Sequence, residues 1–180
     1  MIDFNDWSEE RAAEHEAPYR RLLRDVKPER QRVKPDGSYV LRKPLPERWW
    51  QYGEKRPVMR KAIANMEEIL ALTLHTKTLM PCRVPAGQVA SHALAIFATE
   101  SYAQQAILSS SVHQDWAVTY GSTLETRVRY TPSDVFETFP RPEPTPELEA
   151  IGRTLDTERR EIMLRRELGL TKLYNLVNDP

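Results

Sequence analysis

The stretch GSTLETRVRYTPSDVFETFPRP, residues 121–142, carries the clearest strand signal in the chain. Apolar and polar residues alternate over residues 123–130, which is typical of a half-buried strand because successive side chains point to opposite faces. The outward face of this predicted strand carries Glu125, Arg127 and Arg129, with neighbours roughly 6–7 Å apart at the strand rise. The pattern therefore predicts one strand with a row of charges on its solvent side.

This charged row has two interpretations. A guanidinium can donate two hydrogen bonds to guanine O6 and N7, and a carboxylate can accept one from cytosine N4, so the row suits the reading of base edges. Alternatively, it is a solvated strand face whose charge pair contributes under about 1 kcal/mol to stability. The stretch by itself favours the solvated face, and both interpretations stay open.

Length and composition indicate a globular protein of ordinary size. The 180 residues, 40% of them hydrophobic, fit one large domain or one domain with an appended helical piece. No apolar run approaches the ~18–20 residues that cross a bilayer, and the acidic start MIDFNDWSEE does not resemble a signal peptide. Cys82 has no partner for an internal disulfide, so a cytoplasmic location without membrane contact is expected.

The net charge of zero hides a strong segregation of charge. Residues 20–61 hold fourteen Lys or Arg against five Asp or Glu, a local excess of nine, whereas residues 1–19 hold six acidic groups against Arg11. A basic stretch of this size suits a polyanion, because contacts to phosphates release counterions. Ordinary solvated helix faces explain the charges equally well.

Changes in periodicity predict an α+β fold. N-terminal helices precede residues 69–98, where alternating segments around a Pro-Ala-Gly turn predict a small antiparallel sheet. Residues 100–120 have helical spacing and predict one long internal helix. The segment PRPEPTP, residues 140–146, predicts a linker, and Thr145 with Pro146 should begin a C-terminal helical extension.

The chain lacks the usual motifs of an autonomous enzyme. Its six glycines form no dinucleotide-binding or P-loop pattern, and its four histidines show no metal-ligand spacing. His113 lies on the apolar side of the predicted helix and is interpreted as a hydrogen-bonded core residue. Trp49 and Trp50 are likewise interpreted as core rather than as base-stacking residues. The sequence therefore assigns no catalytic, cofactor-binding or metal-binding residue.

Five blocks of sequence resemble a known family. They occur in the family's order and cover nearly the whole chain: IDFNDW (2–7), VKPER (26–30), RWWQYGEKRPVMRKAI (48–63), ILSSSVHQDWA (107–117) and RYTPSDVFETFPRP (129–142). In this respect the chain resembles the DNA target-recognition domain of the MmeI-like proteins. These are type IIL restriction–modification proteins, a branch of type IIG, and are related to adenine-specific DNA methyltransferases.

The resemblance implies a recognition module that works with a separate catalytic part. In such proteins a nuclease domain and an S-adenosylmethionine-dependent methyltransferase domain precede this region, and their glycine-rich loop and Asn-Pro-Pro-Tyr motif are missing here. S-adenosylmethionine is thus expected in the parent protein and not in this chain. The implied arrangement is a target-recognition domain over residues 1–142, followed by a linker and helical extension over residues 143–180.

The resemblance also singles out the residues that read DNA. The family's variable recognition positions correspond to Glu125 and Arg127, which agrees with the charged row and now favours base readout by this pair. Further cations are expected mainly to hold the DNA backbone or to act as accessory contacts. They are Arg129, Lys77, Arg83, Lys55, Arg56, Arg60 and Lys61.

The predicted function is sequence-specific recognition of double-stranded DNA. The partner would be a methyltransferase catalytic domain, in cis or as a separate subunit, that methylates adenine N6, and the resemblance also allows a parent that cleaves DNA. A second hypothesis is a protein-interaction or scaffold module that docks on a methyltransferase subunit without reading DNA. The charge segregation and the helical C-terminus motivate this alternative.

Overall fold

The computed structural model describes residues 1–53, 55–124 and 127–178, without the side chains of Thr123, Leu124, Arg127 and Asn178. The chain forms two compact units, Met1–Pro57 and Val58–Pro180. Helices and small antiparallel sheets together confirm the predicted α+β class. Among the helices in these ranges, none combines the length and apolarity that a membrane crossing needs.

The first unit is built from short helices and an aromatic core. Helices α1 (Glu9–Ala13), α2 (Glu16–Asp25) and α3 (Lys27–Arg30) come first, and an extended connector follows. Trp49 is only 2% exposed, packs edge-on against Trp50 and meets the Tyr19 ring at 5.5 Å. The interpretation of Trp49 as a core residue is therefore confirmed.

The second unit begins with α4 (Pro57–Ile63) and then a three-stranded antiparallel sheet. Strand β1 (Glu68–Thr73) lies between β3 (Cys82–Pro85) and β4 (Leu94–Phe97). Residues 69–72 are all buried, so β1 is covered on both faces and does not alternate. This central strand confirms the small sheet predicted over residues 69–98.

A second small sheet corrects the prediction of one continuous strand over residues 123–130. Here β6 (Arg127–Arg129) lies between β2 (His75–Thr76) and β5 (Ser122–Leu124), and both pairings are antiparallel. The two arms of a hairpin each keep a period of two, so alternation alone cannot distinguish them from one long strand. The sequence from residue 122 to residue 129 also contains no Gly or Asn, the residues that mark most two-residue hairpin turns.

The predicted long internal helix is also divided in two. Helix α5 (Tyr102–Leu108) ends at Ser109, and α6 (Ser111–Tyr120) starts after Ser110, whose hydroxyl accepts a hydrogen bond from the backbone N–H of His113 at 3.2 Å. Serine side chains compete with the helix for backbone hydrogen bonds and are favoured at N-caps. Helical spacing continues across the break, so the pattern alone did not reveal it.

The C-terminal part consists of α7 (Pro132–Val135), α8 (Pro146–Arg165) and α9 (Leu170–Asn178). The predicted start of α8 is confirmed, since the Thr145 hydroxyl accepts a hydrogen bond from the backbone N–H of Leu148 at 3.2 Å. The proposed domain division at residues 142 and 143 stays a prediction. Helix α8, from the predicted extension, packs on α5 within the second unit.

A buried polar network joins α8 to α5. Asp156 accepts hydrogen bonds from Gln105 at 2.8 Å and from Arg159 at 3.1 Å, and Arg159 also donates to the carbonyl oxygen of Pro81 at 3.0 Å. Burial acts to raise the pKa of Asp156, but these partners hold it below its ordinary value. Removing one partner would leave a buried polar group unpaired, so the network fixes α8 in place.

Glu149 and Gly152 complete the contact between the two helices. The Glu149 carboxylate accepts hydrogen bonds from the backbone N–H of Ala103 at 2.7 Å and from the Ser101 hydroxyl at 3.1 Å, at the N-terminus of α5. A Cβ atom added at Gly152 would lie 1.9 Å from the carbonyl oxygen of Tyr102. Glycine is therefore required here by close packing of two backbones.

We expect Gly152→Ala to destabilise the second unit by about 1–3 kcal/mol or more, because the added methyl group meets backbone that cannot rotate away. Urea unfolding followed by far-ultraviolet circular dichroism measures the change. The matched control is Gly169→Ala, since a Cβ atom at Gly169 meets nothing within 4 Å. Equal midpoints for the two variants would show that α8 does not depend on this close approach.

Candidate nucleic-acid interface

The sheet formed by β2, β6 and β5 presents an exposed row of side chains. Arg129, in the central strand, is paired in register with His75 on one side and Ser122 on the other. All three residues are exposed. Neighbouring side chains in such cross-strand rows have Cβ atoms about 4.5–5.5 Å apart. The row therefore places a guanidinium between an imidazole and a hydroxyl on one surface.

Lys77 joins this surface from a distant part of the sequence. It directly follows β2 and is exposed, as are Thr73 and His75, so alternate residues of this segment face solvent. Pairing of His75 with Arg129 brings the Lys77 segment beside β6, although about fifty residues separate them in the chain. The sheet thus gathers cationic residues that the sequence keeps apart.

The structure describes the two predicted base-reading residues only in part. Arg127 is the first residue of β6 and is paired in register with Leu124, but its side chain is outside the described part of the structure. Glu125 lies outside the described residues altogether. Base readout by this pair stays a prediction. The setting of Arg127 is revised, because β6 is one arm of a hairpin and not part of a continuous strand.

The end of β6 is anchored in the core by Tyr130. This residue is 1% exposed, meets Phe97 edge-on at 6.2 Å and donates its backbone N–H to the carbonyl oxygen of Leu74 at 2.8 Å. Its hydroxyl lies 3.1 Å from Nε2 of His113, which is fully buried. The strand that carries Arg129 is therefore held rigidly from its inner side.

The hydrogen bonds of His113 define its protonation state. Nδ1 lies 2.8 Å from the carbonyl oxygen of Leu108, which can only accept, so Nδ1 carries a proton. Burial lowers the pKa of His113, against the opposing effect of this hydrogen bond, and the ring is neutral. Nε2 then accepts from the Tyr130 hydroxyl, whose own pKa burial raises well above its ordinary value. The interpretation of His113 as a core residue is confirmed.

Arg83 lies in the interior and not on the expected DNA-facing surface. Its side chain is 2% exposed, and the guanidinium donates to the carbonyl oxygen of Glu100 at 3.0 Å and to Gln105 Oε1 at 3.3 Å. It also lies over the Tyr102 ring at 3.8 Å, and Glu68 is 3.5 Å away. A guanidinium enclosed in this way is not presented to a phosphate, so we withdraw Arg83 from the candidate contacts.

The remaining predicted cations occupy different settings. In the first unit, the Lys55 ammonium pairs with Asp6 and donates to Gln51 Oε1 at 2.8 Å, and Arg56 is half-buried with a positive φ of 48°. In the second unit, α4 carries a half-buried Arg60 and an exposed Lys61. Among these four residues, Lys61 is exposed and the other three are half-buried.

Comparison with known proteins identifies the family. Residues 8–143 match the family model described as the MmeI target recognition domain, which is three quarters of the 180 residues. The chain belongs to this family. It is accordingly a DNA sequence-recognition module of a restriction–modification enzyme. Neither a curated protein nor a solved structure matches the chain.

The MmeI target recognition domain match contains the whole exposed sheet but ends before α8. All three strands, β2, β5 and β6, lie between residues 75 and 129. Helix α8 nevertheless packs on α5 inside the second unit. The folded unit that supports the sheet therefore extends beyond the C-terminal end of the matched segment.

His75 and Ser122 are the surface residues that sequence reasoning did not assign to the site. The sequence shows polar residues at alternate positions 73, 75 and 77. This alternation is the signal that could have suggested His75 as a residue of the exposed surface. Their position beside Arg129 depends on the pairing of β2 and β5 with β6. No local pattern specifies the pairing of β2 with β6, because it joins segments about fifty residues apart.

We expect the stability of the second unit to fall as the pH drops below 6.5, the ordinary pKa of histidine. Below that pH the unfolded chain binds a proton at His113 while the buried ring resists protonation, so the unfolded state is favoured. His113→Gln should show a smaller loss of unfolding free energy between pH 7.5 and pH 5 than the unchanged chain does. Urea unfolding at a series of pH values measures this loss.

His75→Gln is the matched control, since it removes an exposed histidine from the same unit. If both variants reduced the loss equally, or if neither did, the buried ring would not be the source of the acid sensitivity.

Proposed function

We propose that the chain reads duplex DNA in the major groove through the exposed face of the sheet formed by β2, β6 and β5. The observation that carries this proposal is the exposed Arg129 row, which lies within the matched MmeI target recognition domain segment. A major groove about 12 Å wide admits a two-stranded β-ribbon. The hairpin of β5 and β6 is such a ribbon.

Glu125 and Arg127 are the proposed base-reading pair. Arginine donates to guanine O6 and N7, and glutamate accepts from cytosine N4, so together they suit a C·G pair. Arg127 is two residues before Arg129 in β6, which corresponds to roughly 6–7 Å along a strand, about two base-pair steps. A phosphate contact by Arg129 would therefore lie close to the base pair that Arg127 is proposed to read.

Arg129 and Lys77 are proposed to hold the DNA backbone beside the bases that are read. Both residues are exposed; Arg129 lies in β6, and Lys77 directly follows β2, which pairs with β6. Lys61 and Arg60 on α4, and Arg56 and Lys55 in the first unit, remain proposed accessory contacts. Contacts to phosphates position a protein on the duplex without carrying sequence information.

We further propose that the recognition module serves an adenine-specific methyltransferase in the cytoplasm, of the type IIG class. The catalytic partner, in cis or as a separate subunit, would bind S-adenosylmethionine and transfer its methyl group to adenine N6. Such enzymes extrude the target base from the helix, which requires DNA held in a defined register. The proposed role of this chain is to set that register.

The first test is binding of a fluorescently labelled duplex by the 180-residue chain. We expect affinity that falls steeply with salt, because phosphate contacts release counterions. Arg129→Ala should weaken binding to all duplexes alike and reduce the salt slope by about 1. The matched control, Arg165→Ala, removes an exposed arginine from α8 and should leave the slope unchanged.

Absence of duplex binding even at low salt would overturn the proposal. If the chain instead bound the methyltransferase partner while showing no affinity for DNA, the scaffold hypothesis would replace it.

The second test concerns the base-reading pair and uses the catalytic partner. Glu125→Lys combined with Arg127→Asp should change the methylated sequence at one base pair and leave the rest of the site intact. A wrong base pair costs about 1–3 kcal/mol, so the shift in methylated sites should be clear. Sequencing of methylated genomic DNA provides the measurement.

The same charge changes on the surface of α8, Glu161→Lys with Arg165→Asp, serve as the control and should leave the target unchanged. Equal weakening at every site by the hairpin variant would mean that the pair contacts phosphate or supports the fold.

A further inference from the structure

An exposed hairpin in the first unit has no role in the fold described so far. Every residue from 32 to 44 is exposed. The segment is nevertheless ordered by its own backbone, with hydrogen bonds from Val40 N–H to the Arg32 carbonyl at 2.9 Å and from Lys34 N–H to the Ser38 carbonyl at 2.7 Å. We call residues 32–43 the basic finger.

The tip of the basic finger is a well-formed turn. Gly37 has a φ of 82°, which a side chain would disfavour, and its N–H donates to the Lys34 carbonyl at 2.9 Å. The Asp36 carboxylate accepts hydrogen bonds from the Ser38 hydroxyl at 2.6 Å and the Ser38 N–H at 2.8 Å. The one acidic group of the finger is therefore engaged in shaping the turn.

The base of the finger is clamped to the core of the first unit. The Arg30 guanidinium donates to the carbonyl oxygens of Trp49 at 3.0 Å and Gln51 at 2.5 Å. Beside it, the Gln31 side-chain amide donates to the carbonyl oxygen of Pro46 at 3.1 Å. Since Trp49 is almost fully buried, the finger extends from a fixed support.

The surface of the finger combines positive charge with exposed apolar groups. It carries four cations, Arg32, Lys34, Arg42 and Lys43, against the single carboxylate of Asp36. Exposed apolar side chains lie among them: Val33, Tyr39, Val40 and Leu41.

Two of the cations have exposed carboxylate neighbours outside the finger. Arg32 lies 3.8 Å from Glu29, and Lys43 lies 2.7 Å from Glu47. Exposed ion pairs of this kind are worth at most about 1 kcal/mol. A polyanion can therefore replace these partners at small cost.

We propose that the basic finger contacts the phosphates and the minor groove of duplex DNA. Minor-groove binders combine Arg or Lys with inserted apolar side chains, which matches the composition of the finger. A protein partner would have to supply several carboxylates to match the same charge. The inference rests on the proposed function and adds a contact that is independent of DNA sequence.

The finger also identifies which part of the basic segment 20–61 faces DNA. Helix α2 contributes Arg20, Arg21 and Arg24 to that segment, and each lies near a carboxylate of the same helix, Glu16 or Asp25. These arginines are as exposed as the finger cations, but α2 presents one large exposed apolar side chain, Leu23, where the finger presents four. We assign the DNA contact to the finger and not to α2.

The test measures the salt dependence of duplex binding by the 180-residue chain. The variant Arg32→Ala, Lys34→Ala, Lys43→Ala should reduce the slope of log affinity against log salt by about 2–3, since each phosphate contact contributes about 0.9. The matched control is Arg20→Ala, Arg21→Ala, Arg24→Ala, which removes the same charge from the same unit and should change the slope by less than about 1. Thermal unfolding of both variants checks that the unit stays folded.

Tyr39→Ala tests the groove contact separately from the phosphates. A small minor-groove ligand should displace the unchanged chain from duplex DNA. It should displace this variant less well at equal salt, because the variant has lost its groove contact. Both finger variants should lower the affinity for target and non-target duplexes by the same factor and so leave the specificity ratio unchanged.

Several outcomes would overturn the inference. If the α2 control lost as much of the salt slope as the finger variant, the effect would come from net charge alone. If the finger variant kept the salt slope of the unchanged chain, the finger would not contact phosphates. Retained DNA binding with lost affinity for a methyltransferase subunit would make the finger a protein contact. If the unchanged chain bound duplex DNA while the finger variant behaved identically, the inference alone would fail and the proposed function would stand.

Discussion

The arrangement of the recognition surface depends on one buried hydrogen bond, between the Tyr130 hydroxyl and the neutral ring of His113. Residues of a strand alternate between its faces. Because Tyr130 is fixed in the core, Arg129 must face outward, as its exposure shows. The imidazole in turn is held by the Leu108 carbonyl at the end of α5. The exposed Arg129 is thus positioned by a buried hydrogen-bonded pair.

Helix α8 extends this support to the other side of α5. Glu149 sits at the N-terminus of α5, and Gly152 allows the two backbones to touch. The Arg159 contact to the Pro81 carbonyl ties the helix to the segment that follows Lys77. The matched family segment ends at residue 143, yet the physical unit that holds the exposed sheet includes this later helix.

Arginine plays three distinct parts in this chain, and exposure separates them. Arg83 and Arg159 are buried and tie strands and helices together through carbonyl and side-chain acceptors. Arg30 supports the basic finger from below. Arg129 and the finger cations have exposed side chains. A guanidinium has five donors, so it suits either task, and sequence composition alone does not say which.

Local patterns in the sequence determined the α+β class, the start of α8 at its Thr-Pro cap and the core positions of Trp49 and His113. Short-range periodicity, neighbouring residue types and capping chemistry were enough to predict these features. The tertiary structure decided that the alternating stretch 123–130 is not one continuous strand and that β6 pairs with both β2 and β5. It also decided that Ser110 divides the internal helix and that Arg83 is enclosed. Strand pairing and burial depend on residues far apart in the chain, and a period of two or 3.6 carries no information about which distant segment will be its partner.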